Sequence, residues 1–320
     1  MRIFALLAAT ACGVLVAGQA LAAFPEKPIT LVVPFPPGGS VDTQLRQLAV
    51  LASKELGKPI VLETKTGASG SVALSGLKND APDGYRLSVL VPTSLRLPMI
   101  QPMNYDPLKD FTYISMLARI TYVVTVPESS PYKTWQDLLA DARANPGKLN
   151  YGNAGIYSSM HLQMEQVADK EGVTWNAVPY KGDGDQVQEL AGGRLDFAVP
   201  SMGGVAPMVD AGKARLLAIF SDKRTVRYPD IPTLREAGTD MVGDVPYGIV
   251  GPAGMSPDVV KILSDAFRKA SAKEENRKTL VQLGLEEAFS SPEEFAEWAQ
   301  ITYRKEREVI DRLEEKGGSK

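Results

Sequence analysis

Three short segments of small residues have the composition of an anion cradle: Pro36-Pro37-Gly38-Gly39-Ser40, Gly67-Ala68-Ser69-Gly70-Ser71, and Gly152-Asn153-Ala154-Gly155 running on to Ser158-Ser159. Each stands between an apolar run and a helical pattern, so each would leave backbone N–H groups free at a helix N-terminus. There the helix dipole favours negative charge by roughly 0.3–1 kcal/mol per helix at exposed sites. Several such ends converging on one cleft would suit carboxylates. Taken singly, each loop is equally well a plain strand-to-helix turn; three in one chain shift the weight towards a binding cleft.

Groups that make or break bonds are scarce. His161 is the only histidine and Cys12 the only cysteine, which leaves no disulfide framework, no Cys/His zinc site and no cysteine catalysis. Ser159 lies two residues from His161 on a helical pattern, so the two side chains leave on different faces and do not form a nucleophile and base. A hydrolase would need another serine brought in by the fold. No G-x-S-x-G elbow and no phosphate loop ending in Gly-Lys-Ser/Thr occur. Gly182-Asp183-Gly184 is weak as a dinucleotide signal, because the aspartates around it repel phosphate. We expect no metal and no cofactor.

With 35 Lys+Arg against 38 Asp+Glu in 320 residues, a formal charge of −3 and a pI near 5.5, nothing attracts nucleic acid. Arg2, the apolar run Ile3 to Val16 and the triplet Ala20-Leu21-Ala22 read as a secretory signal peptide cleaved after Ala22 or Ala23. An acylated Cys12 is the weaker alternative, since Ala9-Thr10-Ala11 lacks the usual upstream leucine. The length suffices for about two domains.

Short apolar runs alternating with helical patterns predict an α/β fold. Strands are expected at residues 29–34, 60–63, 85–91, 122–126, 149–151, 176–180, 195–199, 216–220 and 247–250. Helices are expected from Asp42 to Leu56, through Ala73 to Leu77, from Trp135 with Thr134 as N-cap, and after Gly184 to Gly192-Gly193. Ser256-Pro257 and Ser291-Pro292-Glu293-Glu294 are helix starts, the second with a capping box.

The stretch Phe24-Pro25-Glu26-Lys27-Pro28-Ile29-Thr30-Leu31-Val32-Val33-Pro34-Phe35-Pro36-Pro37-Gly38-Gly39-Ser40-Val41-Asp42 closely resembles the mature N-terminus of the tripartite tricarboxylate transporter substrate-binding proteins, the Bordetella uptake gene family. Pro82-Asp83-Gly84-Tyr85, Tyr151-Gly152-Asn153-Ala154-Gly155, Val178-Pro179-Tyr180-Lys181-Gly182, Gly192-Gly193-Arg194-Leu195-Asp196, Asp230-Ile231-Pro232-Thr233 and Gly251-Pro252-Ala253-Gly254 agree in order. The resemblance therefore covers essentially the whole chain after the leader.

It implies a two-domain periplasmic binding protein of type II-like architecture, each domain a mostly parallel sheet flanked by helices, with the ligand cleft between them. Residues 24–122 and 248–320 would form one domain and 123–247 the other, with hinges near Tyr122-Val123 and Tyr247-Gly248. The implied ligand site takes Phe35, Gly38, Gly39, Ser40 and Asp42, with Gly67, Ala68, Ser69 and Gly70 beside them. Asn153, Ala154, Ser158 and Tyr180-Lys181-Gly182 would close from the other domain. Asp42 either accepts from a ligand or favours its helix N-terminus.

Two departures bear on the ligand. Pro92-Thr93-Ser94-Leu95-Arg96 replaces a Ser-Thr-His-like stretch, which places Ser94 at the site and offers Arg96 either as a carboxylate clamp or as half of a surface ion pair. Pro200-Ser201-Met202 replaces a usual aspartate, so Ser201 enters the site and an amine-recognising acid is missing. Tyr157, Met160, Met202 and Tyr247 either widen the cleft for an aromatic or longer acid or pack the core. The expectation is a monomeric periplasmic receptor, not an enzyme, that binds a di- or aromatic carboxylate and delivers it to a membrane permease. A secreted hydrolase and a sensory receptor coupled to a membrane kinase are the alternatives.

Overall fold

The computed structural model describes residues 24–35, 37–67, 70–243 and 245–317. The expected signal peptide with Cys12, and Ala68 and Ser69 of the second small-residue loop, lie outside them. The strands are β1 (Ile29–Val33), β2 (Ile60–Thr64), β3 (Arg86–Leu90), β4 (Phe111–Ile120), β5 (Tyr122–Pro127), β6 (Asn150–Asn153), β7 (Asn176–Pro179), β8 (Phe197–Ala198), β9 (Ala214–Phe220), β10 (Pro246–Pro252) and β11 (Leu285–Glu287). The helices are α1 (Ser40–Leu56), α2 (Ser71–Leu77), α3 (Pro92–Ile100), α4 (Trp135–Ala144), α5 (Ser159–Glu171), α6 (Asp183–Ala191), α7 (Met202–Asp210), α8 (Pro257–Ser271), α9 (Glu274–Leu283) and α10 (Pro292–Gly317).

Two sheets result, in the orders β11-β4-β10-β3-β1-β2 and β7-β6-β8-β5-β9. Both are mixed. The strand-helix-strand units anticipated from the sequence give the parallel trios β2-β1-β3 and β7-β6-β8. Beside each trio runs one antiparallel strand, β10 in the first sheet and β5 in the second. The halves thus share one topology without a recognisable sequence repeat. The chain passes from the first sheet to the second at Thr121, between β4 and β5, and returns between Phe220 and Pro246.

Helix α1 shows how sequence sets these elements. Leu45, Leu48, Ala49 and Ala52 recur at helical spacing and are all buried against β1 and β3, and Gly57 ends the helix in the left-handed region at φ 68°. Helices α4 and α10 begin with reciprocal caps: Asp137 N–H donates to Thr134 Oγ1 while Asp137 accepts from Thr134 N–H, and Ser291 and Glu294 do the same. A buried polar chain ties the first half together. Tyr247 Oη donates to Gln44 Oε1, Gln44 Nε2 to Asn276 Oδ1, and Asn276 Nδ2 to the Ser271 carbonyl, at 3.0–3.1 Å.

Several elements differ from expectation, α7 and β11 among them, which the sequence reading did not anticipate. The strand expected at 195–199 shrinks to Phe197–Ala198, flanked by Asp196 N–H on the Asn150 carbonyl and Val199 N–H on the Gly152 carbonyl, while the Asp196 side chain accepts from Asn150 N–H at 2.7 Å. Helix α3 and the ten-residue strand β4 have no counterpart in the sequence reading. Proline within α3, at Pro98, masks its period, and β4 is buried on both faces over most of its length, so it shows no alternation.

Candidate functional site

A cleft of about 660 Å³ lies between the two sheets. Pro34 and Phe35 at the end of β1, Gly38 to Val41, Gly67, Gly70, Val91 and Thr93 form its first-sheet wall; Ala154, Lys181 to Gly184, Ser201, Gly203 and Gly204 form the other, with Ile120 and Tyr122 at the crossing. The N-cap residues of five helices are in this lining: Gly39, Gly70, Val91, Gly182 and Ser201, for α1, α2, α3, α6 and α7. Four have no side chain bonded to the helix end; only Ser201 caps, accepting from Gly204 N–H at 3.2 Å. The cleft therefore collects uncapped helix N-termini, whose amides and dipoles attract an anion.

The loops are held in shape from behind. Gly38 sits at φ 85°, and its N–H donates to Asp42 Oδ2 at 2.9 Å, while Arg46 bonds both Asp42 oxygens at 2.9 and 3.0 Å. Asp42 is 1% exposed and outside the cleft lining, so its carboxylate serves the loop. Gly70 is at φ 95°, a conformation that favours glycine, and a Cβ there would stand close, 3.3 Å from Ser94 Oγ and 3.4 Å from Pro34 Cβ. Ser94 lies behind it, buried, with its hydroxyl unpaired among the described residues. Asn153 is buried too, and its Oδ1 accepts from Gly155 N–H at 2.9 Å, turning the chain so that Ala154 meets the cleft.

Of the residues the sequence singled out, Phe35, Gly38, Gly39, Ser40, Gly67, Gly70, Ala154, Lys181, Gly182 and Ser201 come together in the lining. Ser158 lines a neighbouring chamber of about 320 Å³ with Leu97, Ile100 and Tyr157, joined to the cleft through Thr93, Tyr122 and Ala154. Tyr180 packs instead with Val178, Leu190 and Leu195. Arg96 is 1% exposed and turned away. It pairs with Glu306 of α10, donates to the Tyr157 carbonyl at 2.8 Å and reaches Ser159 Oγ at 3.4 Å, so it is neither a clamp in the cleft nor a surface pair. Met160, Met202 and Tyr247 are buried core residues, Met202 also touching a separate pocket beside Thr121 and Leu285, and Tyr157 lines the side chamber.

The sequence reading passed over Thr93, Tyr122 and Asp183. Asp183 opens α6, and its Oδ2 accepts from the Ser201 hydroxyl and from Ser201 N–H at 3.2 Å, its Oδ1 from Gln186 Nε2 at 2.9 Å. Burial pushes its carboxyl above the ordinary range, against the pull of these donors. The Tyr122 hydroxyl is raised as well, by burial first and then by Asp183. Proximity in sequence carries no sign of this, since Ser201 is 18 residues away.

The walls also meet directly. A Cβ on Gly203 would collide with Ser40 Oγ at the start of α1 and stand 2.5 Å from the Leu283 carbonyl. The start of α7 thus rests on the first half of the molecule through a glycine. His161 shows no catalytic arrangement: its Nδ1 accepts from Tyr157 N–H at 3.1 Å, and burial followed by Arg96 lowers its pKa, which favours a neutral ring. Among the described residues no group of three His, Cys, Asp or Glu side chains could hold a metal, and no helix is long and apolar enough to cross a membrane.

Two α/β halves around a cleft of helix N-termini define a solute-binding protein. The model for the tripartite tricarboxylate transporter family receptor matches residues 44–314, and the chain belongs to that family. It is 41% identical over 290 residues to the "UPF0065 protein in gbd 5'region" of Cupriavidus necator, covering 91% of this chain and 88% of that one. Among solved structures, one titled "Structure of a periplasmic transporter" is 34% identical with a TM-score of 0.80, covering 91% of this chain and 98% of its own. "R. palustris Rpa4515 with adipate" is 28% identical with a TM-score of 0.80, covering 90% and 97%. Membership in this family of periplasmic transporter receptors makes the protein a binding protein and not an enzyme.

Proposed function

We propose that the protein captures a small organic carboxylate in the cleft between its two halves and hands it to a membrane permease of the tripartite tricarboxylate type, after export and removal of the leader ahead of Phe24. The observation that carries this reading is the convergence of the uncapped N-termini of α1, α2 and α3 on one wall of the cavity. Backbone donors at helix N-termini hold a carboxylate without a cationic side chain. Adipate in the Rpa4515 structure is a carboxylate of the size such a cleft admits. The residues assigned to the ligand are those of the lining, with Asp42, Asn153 and Ser94 as supports for its loops.

Closure supplies the mechanism. A ligand bound to the first wall gains the second wall's contacts only when the halves meet, so it stabilises the closed state by its difference in affinity for the two states. The bodies we assign to this motion follow the sheets, residues up to Thr121 with those from Pro246 onwards forming one and Tyr122 to Val245 the other, one or two residues from the expected bounds of 122–123 and 247–248. Thermal unfolding of residues 24–320 against mono-, di- and tricarboxylates, aromatic acids, amino acids and neutral sugars tests the reading. At a hundredfold excess over Kd a ligand adds about 2.7 kcal/mol and raises Tm by several degrees. A shift with a carboxylate and no consumption of it supports the proposal; shifts with neutral solutes alone sink it.

A further inference from the structure

The two walls of the cleft differ in kind. The first-sheet wall offers backbone donors at α1, α2 and α3 and, among the described residues, no acidic side chain. The other wall carries negative charge in the first turn of α6 and a side-chain cap at α7. Asp183 is the first residue of α6 and answers that helix dipole with its own carboxylate, while Ser201 caps α7. Ser201 spends its hydroxyl proton on Asp183 and a lone pair on Gly204 N–H, which leaves it nothing to donate to a ligand.

Resting on the carboxylate reading above, we propose that Asp183 is the specificity-determining residue of the cleft. It selects carboxylates whose far end carries a hydrogen-bond donor, a hydroxyl or an ammonium, and rejects a second carboxylate there. A carboxylate has about four acceptor positions. Ser201 and Gln186 fill three at Asp183, two on Oδ2 and one on Oδ1, and the remaining position on Oδ1 is open to a donor. A second anion beside it meets like-charge repulsion, which is the stronger discriminator. Lys181, the other charged side chain in the lining, is exposed; its hydrated ammonium offsets little of that repulsion.

Matched acid series decide the matter: the straight-chain monocarboxylates of four to six carbons with their ω-hydroxy, ω-amino and dicarboxylate counterparts, and benzoate with 4-hydroxybenzoate, 4-(aminomethyl)benzoate and terephthalate. Affinities are measured by titration calorimetry at pH 7.5 on the full mature chain and on Asp183→Asn. The hydroxy or amino member of at least one series should bind tenfold or more tightly than both its plain acid and its dicarboxylate. A lead shared by hydroxyl and ammonium identifies a donor requirement, and a lead of ammonium alone adds charge to it. Asp183→Asn should erase that lead and bring the dicarboxylate up tenfold or more. A dicarboxylate or plain acid binding tightest to the native protein overturns the proposal, as does an unchanged order in the variant. Binding by no acid at all overturns the carboxylate reading itself. If Asp183→Asn fails to fold, Asp183→Ser takes its place, and the native order alone still decides.

Discussion

Arg96 of α3 and Glu306 of α10 form a buried ion pair across 210 residues of sequence, with Arg96 Nε 3.2 Å from Glu306 Oε2 and Nη2 on Oε1. The same guanidinium donates to the Tyr157 carbonyl, in the loop before α5, and Tyr157 itself is held at φ 58°. Leu162 of α5 packs beside them with Met99, Val309 and Ile310. One pair therefore joins the C-terminal helix, the first half and the loop that lines the side chamber.

Removing one partner should be costly. Burial raises the Glu306 carboxyl despite the opposing pull of Arg96, so the charge is tolerated only as a pair. Arg96→Met should destabilise by about 3–5 kcal/mol by stranding Glu306, and Arg96→Met with Glu306→Leu should recover much of the loss. Urea unfolding of the native, single and double variants measures this. A single-variant cost below about 1 kcal/mol, the range of a surface pair, would contradict it.

The α/β order and the three glycine loops were legible because strand period, helix period and glycine punctuation are local properties. Phe35, Gly38, Gly39 and Gly70, which the family resemblance assigned to the ligand, line the cleft. What stayed hidden depends on partners far along the chain. Arg96 reads as an available cation until Glu306 folds onto it, and Asp183 reads as an obstacle to phosphate until Ser201 and Gln186 turn it into a cleft wall. Strand β4 escaped because burial on both faces removes the alternation that marks a strand.

Gly203 sets how closely the walls approach. Gly203→Val places a branched side chain against Ser40 and the Leu283 carbonyl, so the halves must part. Ligand affinity should fall by tenfold or more, about 1.4 kcal/mol, with secondary structure intact. Titration calorimetry with a cleft ligand checks this, and small-angle scattering should report a larger radius for the variant. Unchanged affinity would mean that the ligand does not use the contact between Ser40 and Gly203.

Asp42 is argued to act through the loop. Asp42→Ala frees Gly38 N–H and unpairs Arg46, and both changes loosen the first βα turn. Affinity should drop severalfold for every carboxylate alike, with a stability loss of about 1–2 kcal/mol, as for a lost cap. A loss confined to ligands bearing an amine would instead place Asp42 in direct contact with them. Isothermal titration with an amino acid and its deaminated counterpart separates the two.

The acid limb of stability should depend on His161. Burial and the neighbouring Arg96 depress its folded pKa below the ordinary 6.5. Between the folded value and 6.5 the unfolded chain therefore binds the proton more readily, and stability rises with pH there. Lowering pH from 7.5 through 6.5 should remove stability progressively until the folded ring also titrates, with no further loss from this group below that point. His161→Gln keeps an acceptor for Tyr157 N–H and has no proton to gain, so its profile should be flatter over the same interval. Because the half-buried acids Asp183, Glu286 and Glu306 have raised pKa values, they act in the opposite sense, and comparison of variant with native protein cancels them. Parallel profiles for the two proteins between pH 5 and 7.5 would show that His161 takes no part in the acid transition.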